Sequence, residues 1–102
     1  MSNPLTMECK VWADRERKRL SRTITAHLIK IVPKCSHLKV CIGGIRLPPD
    51  DREFWPSPKW FEHFAVSAGG LWRDEIYPDG LSPSVYRSKF VHSDALTFEE
   101  VG

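Results

Sequence analysis

HLKVCIGGIRL, at residues 37–47, is the clearest structural signal in this sequence. Apolar and polar side chains alternate from His37 to Ile42, as they do in a half-buried strand. Gly43-Gly44 has the backbone freedom that a tight type I′ turn requires, and Ile45–Leu47 can return as the partner strand. The stretch therefore predicts an antiparallel hairpin.

Two elements are predicted on the N-terminal side of this hairpin. Side chains alternate in the same way from Leu5 to Ala13, which predicts a half-buried strand. Apolar residues then recur at helical spacing behind Ser21, a residue type that caps helices, until Pro33 ends the pattern. We expect a helix over Ser21–Val32, although its β-branched residues also permit a strand.

On the C-terminal side of the hairpin, Pro48-Pro49-Asp50-Asp51 cannot continue a strand ladder and predicts a connecting loop. Ser57-Pro58 is typical of a helix start. Apolar residues then share one helical face until Gly69-Gly70, which predicts a second helix between these two signals.

The last third of the chain begins with strand character over Leu71–Tyr77, followed by turn chemistry at Pro78-Asp79-Gly80. Ser82-Pro83 then opens either a short helix or an edge strand with Pro83 at its start. This element would carry Val85, Tyr86, Lys89 and Phe90.

Length and composition fit one globular domain. The chain has 102 residues, of which 41% are hydrophobic and 27% are charged. These values are ordinary for a folded domain of this size. We therefore predict a single α+β domain over residues 1–102, mainly an antiparallel sheet of about four strands with two or three helices.

The sequence has neither a signal-peptide pattern in Met1–Lys10 nor a run of apolar residues long enough to span a membrane. Its three cysteines, an odd number, show no tight pairing pattern. We therefore expect reduced thiols, no membrane span and an intracellular location, cytoplasmic or nuclear. No cofactor is expected.

Charge is divided along the chain. Residues 1–49 contain ten Lys and Arg against three Asp and Glu, a net +7, whereas residues 50–102 contain five against ten, a net −5. Such a division is typical either of a basic face that binds nucleic acid or another polyanion, or of two halves that face each other. The second alternative includes head-to-tail contact between copies and thus a homo-oligomer.

A basic cluster is the strongest candidate binding site. Lys and Arg attract phosphates without regard to base sequence. The alternatives are a solvated loop kept charged for solubility, and contact with an anionic membrane surface. The cluster consists of Arg15, Arg17, Lys18, Arg19 and Arg22, with Glu16 among them.

Most aromatic residues fall in the acidic half, which argues against base stacking in the basic one. Trp55 follows Asp50, Asp51 and Glu53, and an exposed aromatic residue beside charges suits a protein interface. An alternative function is therefore that of a small accessory or inhibitor protein, such as phages and viruses encode, which binds a protein partner.

Two cysteines and two histidines are candidate metal ligands. If the segment around residues 37–42 is a strand, Cys35, His37 and Cys41 lie on the same face of it, and His27 lies earlier in the chain. At about 3.3 Å per residue, however, His37 and Cys41 would lie too far apart for one tetrahedral zinc, so no metal site is predicted. We expect His27 to be buried in the first helix, and His63 to form a surface pair with Glu62.

Catalysis finds little support in sequence motifs. A cysteine or serine nucleophile needs a histidine and an acid that converge on it, and sequence does not show convergence. Glu8-Cys9-Lys10 and Pro49-Asp50 resemble parts of a Mg²⁺ nuclease site, but in reversed chain order. We therefore predict a non-catalytic binding domain with no catalytic residues.

Overall fold

The structure, a computed structural model, describes residues 9–35, 40–57 and 59–102. Two α-helices, α1 and α2, and six strands, β1 to β6, follow one another in these residues, with a 3-10 turn before the last strand. In chain order they are α1 (Cys9–Leu20), β1 (Ala26–Pro33), β2 (Ile45–Leu47), β3 (Arg52–Phe54), β4 (His63–Ala68), β5 (Leu71–Arg73), α2 (Pro83–Ser88), the 3-10 turn (Ser93–Ala95) and β6 (Leu96–Glu100).

Four of the strands form one antiparallel sheet in the order β5-β4-β1-β6. The central strand β1 pairs with β4 on one side, where Ile29 lies opposite Ala65, and with β6 on the other, where Ile31 lies opposite Phe98. Strands β2 and β3 form a separate two-stranded sheet. The predicted α+β fold, with a four-stranded antiparallel sheet and two helices, is confirmed.

The main sheet is covered on both faces. Helix α1 packs on one face, where Ala13 and Leu20 join Phe64 and Val66 of β4 in a small core. The larger core lies on the other face, and its members include Ile29, Ile31, Ile45, Ala65, Trp72, Tyr86 and Phe90. Successive strand residues point to opposite faces of the sheet, so the side chains on both faces of β1 and β4 are buried.

None of the helices in the described residues is long and apolar enough to cross a membrane.

The two elements predicted on the N-terminal side were assigned wrongly. Residues 9–13 of the predicted strand Leu5–Ala13 belong to α1, and residues 5–8 lie outside the described residues. Cys9 and Ala13 are buried one helical turn apart, so the alternation seen in sequence was too short to be diagnostic. The predicted helix Ser21–Val32 is a turn followed by β1, as its β-branched residues permitted.

The predicted hairpin pairs differently from what its sequence suggested. Residues 37–39 lie outside the described residues, and residues 40–44 form no strand. Ile45–Leu47 pairs instead with Arg52–Phe54, across a turn at residues 48–51. The segment before β2 is held by a bond from the Ile42 N–H to the Trp60 carbonyl, 2.8 Å long, which leaves Ile42 fully buried.

The second predicted helix, between Ser57-Pro58 and Gly69-Gly70, is also wrong, because residues 63–68 form β4. Apolar residues that recur at helical spacing here are buried on the two faces of a strand. Of the predicted strand Leu71–Tyr77, only Leu71–Arg73 is a strand. The turn at residues 78–80 is confirmed, as is the helical alternative for the segment after Ser82, which forms α2 with Pro83 in its first turn.

Candidate active site

Asp74 is the best-anchored polar residue of the core. It follows β5 directly and is 2% exposed. Its Oδ1 accepts hydrogen bonds from the backbone N–H groups of Ile76, at 2.9 Å, and Tyr77, at 2.7 Å. Its Oδ2 accepts one from the Tyr86 hydroxyl, at 2.6 Å. Four groups, including the histidine described next, therefore hold this carboxylate in one orientation.

His63 is the fourth group. It is the first residue of β4, is 0% exposed, and places Nε2 3.0 Å from Oδ2 of Asp74. Its ring stacks on Trp60, with centroids 4.8 Å apart and planes 10° from parallel, and Phe90 lies tilted beside it at 6.3 Å. Nδ1, the other ring nitrogen, is buried and has no hydrogen-bond partner among the described residues.

Cys9 supplies a thiol to the same place. It lies in α1, is 7% exposed, and its sulfur is one of the groups that interact with the His63 imidazole. The thiol contributes to the raised pKa of the His63 imidazole, so the two groups lie close enough to interact. We call Cys9, His63 and Asp74 the Cys-His-Asp cluster.

Charge in the cluster follows from its contacts. Burial acts to lower the pKa of His63, but the hydrogen bond to Asp74 and the interactions with Asp74 and Cys9 outweigh it and raise that pKa to about 9. Burial acts to raise the pKa of Asp74, and its hydrogen bond and ion pair with His63 together lower it. At neutral pH the pair is therefore imidazolium and carboxylate.

Tyr86 remains a neutral donor in this environment. Burial and the neighbouring Asp74 charge raise the pKa of its hydroxyl well above the ordinary value. Its proton therefore stays available for the hydrogen bond to Oδ2. The arrangement contains a nucleophile, an imidazole and an acid that orients the imidazole, which are the three parts of a thiol-based acyl-transfer site.

The predicted basic cluster lies on α1 and the turn after it. Arg15, Lys18, Arg19 and Arg22 are exposed, and Arg17 is partly buried. Arg19 forms a salt bridge with Glu16 one turn away. Arg15 and Glu75, a residue of the acidic half, line the same surface pocket. The two halves also meet through Lys30 with Glu62 and through His27 with Glu100.

The predicted protein-interface residues lie together around the β2–β3 hairpin. Asp50, Asp51 and Glu53 are exposed, and Trp55 is 53% exposed just after β3. Asp51 accepts a hydrogen bond from the Lys89 ammonium at 2.7 Å, so it is partly engaged within the molecule. Binding of a protein partner to this surface remains a prediction.

Two histidine predictions were wrong. His27 lies on β1 with its side chain 41% exposed, 3.4 Å from Glu100, and not buried in a helix. His63 is buried and pairs with Asp74, whereas Glu62 pairs with Lys30. The cause is the same in both cases, because each residue belongs to a strand and not to the helix predicted for it.

The residues considered for zinc are dispersed. Cys35 is exposed, Cys41 is half-buried, and His37 lies outside the described residues. In the part of the chain that the structure describes, no three His, Cys, Asp or Glu side chains are grouped so as to hold a metal ion.

Sequence reasoning missed the Cys-His-Asp cluster because its members are distant in the chain and no short motif connects them. One local signal was available. An Asp side chain commonly forms a turn by accepting hydrogen bonds from the backbone N–H groups two and three residues later. This turn makes Asp74 a fixed acceptor.

Comparison with family models, curated proteins and solved structures returned no match.

Proposed function

We propose that this chain is a cysteine-dependent acyl-transfer enzyme, a hydrolase or transferase acting on an ester, thioester or amide. Cys9 is the nucleophile, His63 the general base and acid, and Asp74 the residue that orients the imidazole. One observation carries the proposal: a buried imidazole that is bonded through Nε2 to a fixed carboxylate also interacts with the thiol of Cys9. The non-catalytic role expected from sequence stays a prediction, and this proposal departs from it.

The chemistry follows from the geometry. The Cys9 sulfur reacts as the thiolate, with its charge balanced by the His63 imidazolium, and attacks the acyl carbon to form a tetrahedral intermediate. Its collapse breaks the bond to the leaving group, which receives the proton from the imidazolium and departs. The acyl group remains on Cys9 as a thioester. Water or another acceptor then gives its proton to His63 and attacks the thioester carbon, and breakage of the bond to sulfur restores the Cys9 thiolate beside the imidazolium.

Hydrogen bonding around Asp74 supports this role for the histidine. All four bonds to the carboxylate come from fixed donors: two backbone N–H groups, the Tyr86 hydroxyl and the His63 ring. Stacking on Trp60 fixes the plane of the ring as well. The imidazole is therefore held with Nε2 toward the carboxylate before any substrate binds.

Thiol reactivity tests the proposal without knowledge of the substrate. A protein carrying Cys35→Ser and Cys41→Ser has Cys9 as its single thiol. We expect iodoacetamide to alkylate it faster at neutral pH than it alkylates the same thiol in denatured chain, because a neighbouring imidazolium makes a thiol more reactive. Adding His63→Ala should slow alkylation at neutral pH by about tenfold or more.

His27→Ala is the matched control, because His27 lies on the neighbouring strand and outside the cluster. It should leave the alkylation rate unchanged. p-Nitrophenyl acetate gives the acyl-transfer readout, with a burst of nitrophenol and an acetyl group on Cys9 detected by mass spectrometry. A folded protein whose Cys9 reacts no faster than denatured chain, or equally with and without His63, would rule the proposal out.

Polyanion binding is the second candidate, favoured by the exposure of Arg15, Lys18 and Arg22 on α1 and the turn that follows it. We expect binding to single-stranded oligonucleotides to weaken with salt. The triple variant R15Q/K18Q/R22Q should reduce the slope of log K against log salt by about 0.7 for each lost phosphate contact. The charge-matched variant K34Q/R52Q/K59Q, on other surfaces, is the control, and equal losses in both variants would exclude this site.

A further inference from the structure

A small pocket lies beside the Cys-His-Asp cluster. Its volume is about 300 Å³, and the described residues that line it are Cys41, Gly43, Trp55, Pro56, Lys59 and Trp60. This volume is at the lower end of the range for ligand pockets, so it suits one ring-sized group more than an extended ligand. Two indole rings and a proline make its walls largely apolar.

The walls are held in place by the fold. The Trp60 carbonyl accepts the Ile42 N–H at 2.8 Å, and the Gly44 carbonyl accepts the Val91 N–H at 2.9 Å. Gly44 fits directly against Trp55, because a Cβ at Gly44 would lie 2.7 Å from the Trp55 ring. Trp55 also packs edge-on against His92, with ring centroids 5.7 Å apart. The pocket is therefore largely preformed.

Trp60 connects the pocket with the cluster. The same indole that lines the pocket stacks on the His63 ring at 4.8 Å. Trp60 would therefore contact both a ligand in the pocket and the imidazole, which makes the pocket a candidate position for a substrate side chain.

Charge narrows the class of ligand. Lys59 is exposed, and it is the one charged side chain among the described residues that line the pocket. An ammonium at the edge of an apolar pocket complements a carboxylate on an apolar group, and disfavours an amine in the same position.

We propose that this pocket binds a ring-sized apolar group that carries a carboxylate, and that this group is the substrate's recognition element. The second part rests on the proposed acyl-transfer function, whereas the first does not. Trp55 and Trp60 contact the ring, and Lys59 contacts the carboxylate.

Cys41 offers a direct measurement of occupancy, because its thiol belongs to the pocket lining. In a protein with Cys9→Ser and Cys35→Ser, Cys41 is the single thiol. We expect 4-phenylbutyrate to slow its alkylation by iodoacetamide in a saturable way, and 4-phenylbutylamine or butyrate to do so at concentrations about tenfold higher, if at all.

Variants test each contact. Lys59→Glu should abolish the preference for the carboxylate over the amine, and Trp55→Ala should weaken protection by about tenfold. Lys34→Glu, which makes the same charge change away from the pocket, should alter neither. Equal protection by all three compounds, or by none, would overturn the pocket assignment whatever the reactivity of Cys9.

The link to catalysis has its own readout. In the protein whose single thiol is Cys9, saturating 4-phenylbutyrate should change the alkylation rate of Cys9, and Lys59→Glu should remove that effect. An unchanged rate with an occupied pocket would refute the recognition role while leaving the pocket intact. An inert Cys9 with a protected Cys41 would refute the proposed enzyme function alone.

Discussion

Nε2 of His63 lies 3.0 Å from Oδ2 of Asp74, and both side chains are buried in the core. The pair joins the start of β4 to the segment that follows β5, so it connects the two strands at one end of the sheet. Because unpaired charges inside a protein are costly, each member depends on the other. Fold stability and the proposed chemistry therefore share the same atoms.

Tyr86→Phe removes a hydrogen bond to a buried carboxylate. We expect the free energy of unfolding to fall by roughly 1.5–3 kcal/mol, because bonds to charged groups contribute more than neutral ones. Urea denaturation at neutral pH measures this loss. Tyr77→Phe is the comparison, since its hydroxyl donates to the neutral Arg46 carbonyl, at 2.5 Å. A loss for Tyr86→Phe no larger than that for Tyr77→Phe would mean that the Tyr86 hydroxyl does not support a charged Asp74.

Asp74→Ala leaves the imidazole buried without its partner and removes the acceptor for two backbone N–H groups. We expect a loss of about 3–5 kcal/mol in the free energy of unfolding. Asp74→Asn should lose less, since it keeps an acceptor for those groups, but it should lower the alkylation rate of Cys9. Asp79→Ala, at an exposed turn, is the control and should change neither quantity.

Stability should depend on pH through the same pair. The folded-state pKa of His63 is about 9, above its ordinary value of 6.5, so its contribution is complete below pH 6.5 and is lost as the pH rises through 9. The pKa of Asp74 is lowered from 3.8, so its contribution is present above that value and is lost as the pH falls through the lower folded-state pKa.

Both contributions are therefore present together at mildly acidic pH. Urea midpoints should fall between about pH 6 and pH 9.5 in the wild-type protein. The double variant H63A/D74N should show a clearly smaller fall over the same range, because the titrating pair is absent. An equal fall in both proteins would assign the pH dependence to other groups.

The variants Gly43→Ala and Gly70→Ala distinguish the cost of backbone strain from the cost of steric overlap between the added Cβ and a neighbouring side chain. Both glycines have positive φ, +88° at Gly43 and +78° at Gly70. A Cβ at Gly70 meets nothing within 4 Å, so we expect a loss of roughly 1–2 kcal/mol from the left-handed conformation alone. At Gly43 a Cβ would lie 2.8 Å from the His92 ring, which should add about 1–3 kcal/mol. Thermal or urea unfolding that ranks the two variants in the opposite order would contradict this packing.

Local sequence was sufficient to predict the elements whose conformation is set by adjacent residues. Pro78-Asp79-Gly80 was predicted as a turn, and Ser82-Pro83 allowed a helix, because proline and glycine restrict or release the backbone where they stand. Composition and length were also enough to predict a small α+β domain with an antiparallel sheet, which the structure confirms.

Tertiary packing decided the rest. Strands β1 and β4 are buried on both faces, so neither shows the alternation that identifies a strand in sequence, and both were predicted as helices. Cys9, His63 and Asp74 belong to α1, to β4 and to the segment after β5, and only the packing of these elements brings them within interaction distance. Sequence specifies each residue's chemistry, but their common location depends on strand pairing between distant segments, which no local pattern encodes.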